Sequence, residues 1–377
     1  MNIAIVCYPT FGGSGVVATE LGIALSRKGH QIHFVTYKQP VRLEALNAKL
    51  HFHEVHVPKY PLFEYQPYEL ALSSRLLDVV KTYKIDVLHV HYAIPHAYAA
   101  YMVKKMLEDE GIRLPIVTTL HGTDITLVGS HPFYKPAVTF SINHSDCVTS
   151  VSESLKQNTL SLFDIKQDIE VIPNFIDIDK YKDKPIPCEA SLLIDKNEKI
   201  ITHISNFRPL KRIMDILYVF ERLEKEIPVK LMMVGEGPEK KKAKQYAKKI
   251  GLEDKILFLG KSNEIDKILC YSDLFILPSE KESFGLSALE AMVNRVPVIS
   301  TNIGGLPEVN KDGYSGFLHD LGDIEGMTNS ALRLLKNTEL LRKFKDQAFE
   351  RASQFNVNKI VVAYEKIYRK AILKVRN

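Results

Sequence analysis

The sequence predicts an α/β protein with two doubly wound, Rossmann-like parallel sheets. The chain has 377 residues, which is long for one hydrophobic core and suits two domains. Short apolar runs alternate with stretches of helical periodicity, the order expected when parallel strands are joined by crossover helices. Several of these runs are almost continuously apolar, as in strands that are covered on both faces.

The first half of the chain contains seven predicted strands separated by helical stretches. The first helix, predicted over residues 16–28, ends at Gly29, because glycine readily adopts the left-handed conformation that follows many helices. We assign residues 1–173 to an N-terminal domain. Its predicted strands cover residues 3–7, 32–36, 52–57, 87–90, 116–120, 147–151 and 170–172.

The second half repeats this alternation, and we assign residues 174–355 to a second domain of the same type. Its polar, proline-containing start, residues 174–199, is the predicted inter-domain region. Residues 356–377 are predicted to form a terminal helix, since their apolar side chains follow helical spacing. The predicted strands of this half cover residues 200–205, 229–234, 256–259, 274–277, 298–300 and 316–318, with helices over 213–226 and 240–250.

Composition and charge argue against several classes of protein. A net charge of +5, spread along the chain, falls short of a nucleic-acid-binding signature, and the lysines of 240–244 are expected on a solvated helix face. No run of about 18 apolar residues is present, so we expect no membrane span.

Cys7 and Cys147 lie in apolar runs and are expected to be buried free thiols. Four widely spaced cysteines, and an N-terminus that leads directly into a strand rather than a signal peptide, favour the cytoplasm.

The segment from Glu282 to Glu290 carries the strongest functional signal. It follows a buried apolar run that ends at Pro278, so the sequence predicts a strand, a loop and the first turns of a helix. A helix start offers free N–H groups to anionic or hydroxyl-rich ligands, and carboxylates accept strong hydrogen bonds from hydroxyls. Eight helical residues rise about 12 Å. The paired carboxylates of glycoside hydrolases lie roughly 5–10 Å apart, so the spacing favours ligand holding over hydrolysis.

A glycine loop follows the first predicted strand. Gly13, Gly15 and Ala18 match G-x-G-x-x-A, a fingerprint of dinucleotide sites. The acidic residue expected near the end of the second strand is missing, since residues 35–38 are Val-Thr-Tyr-Lys and the next acidic residue after Glu20 is Glu44. This weakens the dinucleotide interpretation. The loop, with Ser14, suits a phosphate at a helix start. A purely structural tight turn remains the alternative.

A basic loop with Asn206, Arg208 and Lys211 lies between a predicted strand and a predicted helix of the second half. Lysine and arginine stabilise the charge that gathers on a departing nucleoside diphosphate. Polar residues also gather where three strands of the first half end, within residues 89–96, 118–124 and 150–152. Ligands bind at the carboxyl ends of parallel strands, so these clusters contain candidate ligand contacts, with structural histidines as the alternative.

Together these motifs resemble the retaining glycosyltransferases of family 4, whose GT-B fold has two Rossmann-like domains facing across a cleft. Residues 282–290 match the E-x7-E element of that family, and the resemblance spans nearly the whole chain. The first-half motifs around Tyr92 and His121 are similar to those of one branch. That branch moves N-acetylglucosamine from UDP-GlcNAc to the hydroxyl of L-malate, giving GlcNAc-α-malate and UDP in the first step of bacillithiol synthesis. The resemblance implies that residues 1–173 form the acceptor side, that residues 174–355 bind the nucleotide sugar, and that the last helix crosses back to the first domain.

The resemblance also implies roles for individual residues. Glu282 would bind the sugar 3- and 4-hydroxyls, Glu290 the ribose, and Lys211 the leaving diphosphate. Asn206 stands where the family arginine is expected, and Arg208 lies two positions later. The implied catalytic residues are Glu282, Lys211, His121 and Arg208. The implied donor-binding residues are Glu290, Ser283, Phe284, Gly285, Leu286, Gly13, Ser14, Gly15 and Asn206. The implied acceptor-binding residues are Tyr92, Thr118, Ser14 and Asn206.

The expected substrates are UDP-GlcNAc and L-malate, with no metal or other cofactor and no nucleic-acid partner. Two alternatives stay open at this point. The same fold could serve another acceptor, such as a lipid or a polysaccharide, or the chain could bind nucleotides without transferase chemistry. The sequence also leaves the oligomeric state open, including a homo-oligomer.

Overall fold

A computed structural model describes residues 1–10, 12–43, 46–182, 198–262 and 264–376. The chain divides into two compact units. The first comprises Met1–Asn174 together with Val357–Asn377, and the second is Phe175–Asn356. Most of the predicted inter-domain region lies outside the described residues, as does Cys188.

The first unit contains a seven-stranded parallel sheet with the strand order β3-β2-β1-β4-β5-β6-β7. The order reverses beside β1, so β1 and β4 flank the switch point at which doubly wound sheets bind ligands. The strands are β1 (Asn2–Val6), β2 (Gln31–Thr36), β3 (Leu50–Glu54), β4 (Val87–His91), β5 (Ile116–Leu120), β6 (Cys147–Ser150) and β7 (Ile169–Val171). The helices between them are α1 (Gly13–Arg27), α2 (Tyr68–Tyr83), α3 (Tyr98–Glu108), α4 (Lys135–Asn143) and α5 (Glu153–Leu162).

The second unit contains a six-stranded parallel sheet with the order β10-β9-β8-β11-β12-β13, and its switch point lies between β8 and β11. The strands are β8 (Lys199–Ile204), β9 (Val229–Val234), β10 (Ile256–Gly260), β11 (Leu274–Leu277), β12 (Val298–Thr301) and β13 (Gly316–His319). The helices are α6 (Asp179–Lys182), α7 (Ile213–Glu224), α8 (Lys240–Lys249), α9 (Ile265–Leu269), α10 (Leu286–Val293), α11 (Leu306–Val309), α12 (Ile324–Leu335) and α13 (Thr338–Ser353).

Every predicted strand is found, so the prediction of an α/β fold with two parallel sheets is confirmed. Most boundaries lie within one or two residues of the prediction, and the largest differences are at β3 and at the start of α1. Strand β3 begins at Leu50 and ends at Glu54, because its pairing with β2 runs only as far as Thr36, the last residue of that strand. Helix α1 begins at Gly13, so the predicted glycine loop forms the first turn of the helix. Gly29, at a φ of 96°, follows the end of that helix as predicted.

The last helix, α14 (Val357–Arg376), packs on α1 and on strands β4, β5 and β6 of the first unit. Its buried face includes two tyrosines that reach polar groups inside the sheet. The hydroxyl of Tyr368 lies 2.9 Å from Nδ1 of His89, and the hydroxyl of Tyr364 lies 3.3 Å from that of Thr119. The helix therefore completes both the apolar and the polar interior of this unit.

Cys7 and Cys147 are buried and carry free thiols, as predicted. Burial raises the pKa of the Cys7 thiol to about 12, so this side chain stays protonated and unreactive. Within the described ranges, the structure contains no helix with the length and apolar character needed to cross a membrane.

Replacing Tyr368 with phenylalanine should destabilise the first unit, because it keeps the ring but leaves the fully buried His89 without one hydrogen-bond partner. We expect the free energy of unfolding to fall by about 1–3 kcal/mol. Tyr314→Phe is the matched control, since that hydroxyl pairs with Glu350 at the surface. Urea unfolding measures both variants, and equal effects would contradict a structural role for the buried contact.

Candidate functional site

The predicted donor residues of the second unit follow the ends of β8 and β11, the two strands at its switch point. The loop after β8 contains Asn206 and Arg208, whose side chains are exposed, while Phe207 between them is fully buried. The loop after β11 contains Glu282. Because neighbouring parallel strands end at the same edge of the sheet, the fold brings these two loops together.

Lys211 and Glu282 form an ion pair at this edge. Nζ of Lys211 lies 2.5 Å from Oε2 of Glu282, and their side chains are only 15% and 17% exposed. Oγ of Ser279 lies 3.5 Å from the same carboxylate oxygen. Two residues for which the resemblance implies catalytic roles are therefore in direct contact.

The backbone around Lys211 is held by short-range and cross-loop hydrogen bonds. Lys211 ends a single helical turn, Pro209–Lys211, in which its N–H donates to the carbonyl of Arg208 at 2.9 Å. The N–H of Glu280 donates to the carbonyl of Leu210 at 2.8 Å, which joins the loop after β11 to this turn. These two hydrogen bonds fix the backbone of the turn that carries Lys211 beside the loop that carries Glu282.

His203 is a supporting residue that the sequence analysis missed. It is fully buried, with Nδ1 2.8 Å from the carbonyl oxygen of Ile276 and Nε2 2.7 Å from Oγ of Ser205. Burial lowers the pKa of its imidazole to about 4, so the ring is neutral at pH 7. His203 therefore links β8 to β11 and holds the start of the loop that carries Arg208 and Lys211.

Gly285 precedes α10 in a conformation that favours glycine, at a φ of 102°, and an added Cβ would lie 2.8 Å from Cδ2 of Leu306. Leu286 begins the helix, and Glu290, one turn further on, is 9% exposed. The Phe284 ring packs edge-on against Phe355 with centroids 5.6 Å apart, so its side chain belongs to the interior. Any ligand contact at Phe284 must therefore come from the backbone.

Gly304 and Gly305, after β12, are two further residues that the sequence analysis missed. An added Cβ on Gly304 would lie 2.0 Å from the carbonyl oxygen of Glu282, and one on Gly305 would lie 2.4 Å from that of Ser283. The N–H of Gly305 donates to the carbonyl of Glu282 at 2.9 Å. The detectable signal was a Gly-Gly pair in the loop that follows a predicted strand, where glycines permit close backbone approach.

In the first unit, Ser14, Tyr92 and His121 come together at the carboxyl ends of the strands. Oγ of Ser14 lies 2.6 Å from the hydroxyl of Tyr92, and the rings of Tyr92 and His121 have centroids 5.2 Å apart. Gly15 allows α1 to begin close to β1, since an added Cβ would lie 2.4 Å from the carbonyl oxygen of Tyr8. Gly13 is exposed at the start of the same helix.

His121 is a neutral polar residue in this arrangement. Its side chain is buried, and Nε2 lies 2.8 Å from Nδ1 of His91. Burial, with a smaller effect of His96, lowers the pKa of His121 to about 3. The imidazole can exchange hydrogen bonds with a ligand, but it does not supply a positive charge at pH 7.

Asp124 joins the two loops that carry Tyr92 and His121. Its buried carboxylate accepts N–H groups from Ala93 at 2.9 Å, from Gly122 at 3.0 Å and from His121 at 3.3 Å. Burial raises the pKa of this carboxyl to about 6, and the backbone donors oppose that rise. The sequence analysis placed Asp124 in a polar cluster without giving it a role.

The structure does not bring Thr118 into this cluster. Thr118 lies in the middle of β5, is fully buried, and its hydroxyl is 2.7 Å from Oγ of Ser145. Its neighbour Thr119 contacts Thr149 and Tyr364 instead, because successive side chains of a strand point to opposite faces. Among the described residues, no group of three or more His, Cys, Asp and Glu side chains is arranged to hold a metal ion.

Two family models match the chain. The model for glycosyl transferases group 1 matches residues 188–351, and the model for glycosyltransferase family 4 matches residues 11–180. Over 98% of this chain and 96% of its relative, the sequence is 46% identical to N-acetyl-alpha-D-glucosaminyl L-malate synthase of Bacillus anthracis. It is 24% identical to the alpha-monoglucosyldiacylglycerol synthase of Streptococcus pneumoniae over 83% of this chain and 74% of that protein.

Solved structures support the fold. HepE of Anabaena, determined with UDP and glucose, superimposes with a TM-score of 0.81 at 20% identity, covering 97% of this chain and 99% of HepE. Sucrose-phosphate synthase of Thermosynechococcus elongatus superimposes with a TM-score of 0.79 at 18% identity and covers 98% of both chains. These similarities confirm the expected GT-B fold.

The buried histidines of the first unit should make its stability depend on pH. The pKa values of His89, His96 and His121 are lowered to about 3, 4 and 3, and burial lowers the pKa of His91 in the same cluster as well. A histidine in an unfolded chain titrates near pH 6.5. Their contribution is fully present above about pH 6.5 and is lost as the pH falls toward the folded values. Asp124, with its raised pKa, titrates in the opposite sense.

We therefore expect the unfolding temperature of this unit to fall between pH 7 and pH 5. Because Asp124 offsets one of the four histidines, the net uptake on unfolding should be about three protons from this cluster. Calorimetry at several pH values measures this uptake. His89→Gln should reduce it by about one proton, and His131→Gln, at an exposed position, should leave it unchanged. A stability that is constant over this range would contradict the neutral state of the cluster.

Proposed function

The chain belongs to the family 4 glycosyltransferases of the GT-B fold, and we propose that it transfers N-acetylglucosamine from UDP-GlcNAc to the hydroxyl of L-malate. The products are GlcNAc-α-malate and UDP, with the anomeric configuration retained, as the first step of bacillithiol synthesis. The observation that carries this proposal is the similarity, along almost the whole chain, to the malate synthase of Bacillus anthracis.

The second unit supports the donor half of the proposal. The hydroxyls of a nucleotide sugar need acceptors, and its diphosphate needs cations and N–H donors. Glu282 is assigned to the sugar, Glu290 to the ribose, and Lys211, with Arg208, to the diphosphate. Backbone N–H groups of Ser283 to Leu286, at the start of α10, are assigned to the sugar and the diphosphate, since a helix start attracts anions.

The first unit supports the acceptor half. L-Malate carries two carboxylates, so its pocket needs N–H or O–H donors or cations. Ser14 and Tyr92 supply two hydroxyls that lie within 2.6 Å of each other beside the start of α1, a 15-residue helix whose first turn contains no acidic side chain. We assign a malate carboxylate to this position. The neutral His121, next to Tyr92, is assigned to a hydrogen bond near the donor sugar.

The proposed chemistry takes place on one face of the sugar. The malate hydroxyl oxygen bonds to the anomeric carbon as the bond from that carbon to the diphosphate oxygen breaks. The hydroxyl proton passes to the departing phosphate, so no carboxylate nucleophile is needed. Lys211 stabilises the charge that develops on this leaving group. The reaction is assigned no metal or other cofactor and is placed in the cytoplasm.

The first experiment measures UDP release from UDP-GlcNAc in the presence and absence of L-malate, with D-malate, succinate and UDP-glucose as comparisons. We expect release to require L-malate, to persist in EDTA, and to give a product that is α-linked by NMR. Protein that binds UDP but shows no malate-dependent release would contradict the acceptor assignment. It would leave a family 4 transferase with a lipid or polysaccharide acceptor as the alternative.

Glu290→Gln should weaken donor use, because a neutral amide accepts hydroxyl hydrogen bonds less strongly than a carboxylate. We expect KM for UDP-GlcNAc to rise by about tenfold or more, with a smaller effect on KM for L-malate. Glu339→Gln, at an exposed position of α13, is the charge-matched control. A nucleotide module confined to the first unit would be insensitive to Glu290→Gln, so an unchanged KM would contradict the donor assignment.

A further inference from the structure

Lys211 and Glu282 form an ion pair within the proposed donor site of the second unit. The lysine is assigned to the donor diphosphate, yet in this structure its Nζ is 2.5 Å from Oε2 of Glu282. Both side chains are less than one-fifth exposed. In such a partly buried place a charge that loses its partner is costly, so each of these residues needs a replacement partner when the other leaves.

Both backbones are anchored, so the pair is built into the fold of the second unit. The turn that carries Lys211 is bonded to Glu280 through the carbonyl of Leu210 at 2.8 Å. The carbonyl of Glu282 accepts the N–H of Gly305 at 2.9 Å, and Gly304 packs against the same carbonyl with no room for a Cβ. Ligand binding can therefore separate the two charges by side-chain movement alone.

We propose that Glu282 acts as an internal competitor for Lys211 and thereby makes the site discriminate between the intact donor and the product UDP. This inference rests on the proposed function. UDP-GlcNAc brings a diphosphate for Lys211 and sugar hydroxyls for Glu282, so both charges regain partners. UDP brings only the diphosphate, and Glu282 is left beside a second negative group. The carboxylate thus weakens binding of the product and favours its release.

The test compares UDP and UDP-GlcNAc binding by titration calorimetry in the full chain at low salt. Glu282→Gln should tighten UDP binding by about fivefold, the size expected when a competing ion pair is removed. The affinity for UDP-GlcNAc should gain less or fall, because the sugar loses a charged acceptor. Glu280→Gln is the control: it removes the same charge two residues earlier, from an exposed side chain. It should change UDP affinity by less than about twofold.

A double-mutant cycle separates competition from a general effect of charge. In a Lys211→Met background, Glu282→Gln should tighten UDP binding by clearly less, since the competition for the cation is gone and only the repulsion between the carboxylate and the diphosphate remains. Glu282→Ala repeats the measurement if the glutamine variant does not fold. Glu282→Gln and Glu282→Ala should also lower the inhibition constant of UDP in the transfer assay, by a factor similar to their gain in UDP affinity.

The outcomes are distinguishable. UDP binding that is unchanged or weaker in both Glu282 variants would overturn the competition while leaving the donor site intact, provided that Lys211→Met weakens UDP binding. If Glu280→Gln tightened UDP binding as much as Glu282→Gln, the effect would be one of general charge, and the inference would also be overturned. UDP binding that is unaffected by Lys211→Met would contradict the diphosphate assignment and, with it, the proposed donor site.

Discussion

Buried polar groups need hydrogen-bond partners, and a helix from the far end of the chain supplies partners for two central strands of the first unit. His89 and Thr119 lie inside a parallel sheet that is covered on both faces, where an unpaired polar group is costly. Tyr368 and Tyr364 of α14 supply the hydroxyls that these groups need. The polar ends of the central strands therefore depend on the C-terminal helix, and the loops that carry Tyr92 and His121 continue from those strands.

Both units place their site residues by the same geometry. Parallel strands end at one edge of the sheet, and the reversal of strand order leaves room there for a ligand. Glycines then let the loops approach closely: Gly15 beside Tyr8 in the first unit, and Gly304 beside Glu282 in the second. The close contacts are made by backbone atoms, so the loops are positioned by sterics and hydrogen bonds before any ligand contributes.

Within each unit, the charged and polar groups named above are held by contacts inside that unit. Lys211 is paired with Glu282, His121 is a neutral imidazole, and the carboxylate of Asp124 is surrounded by backbone donors. An anionic ligand that contacts Lys211 must therefore compete with Glu282 for the same ammonium group. Under the proposed competition, selectivity in the second unit comes from how completely each ligand replaces this internal contact.

The sequence by itself determined the strands, the parallel sheets and the residues around Glu282, Lys211 and Ser14, because apolar runs, glycines and charged residues are local signals. It misplaced the ends of β3 and the start of α1, since strand pairing and capping decide those boundaries. Only the tertiary structure decided that Thr118 turns toward Ser145, that Lys211 pairs with Glu282, and that Asp124 joins two loops. These outcomes depend on contacts between residues far apart in the chain, and no local pattern specifies which distant group will satisfy a given polar atom.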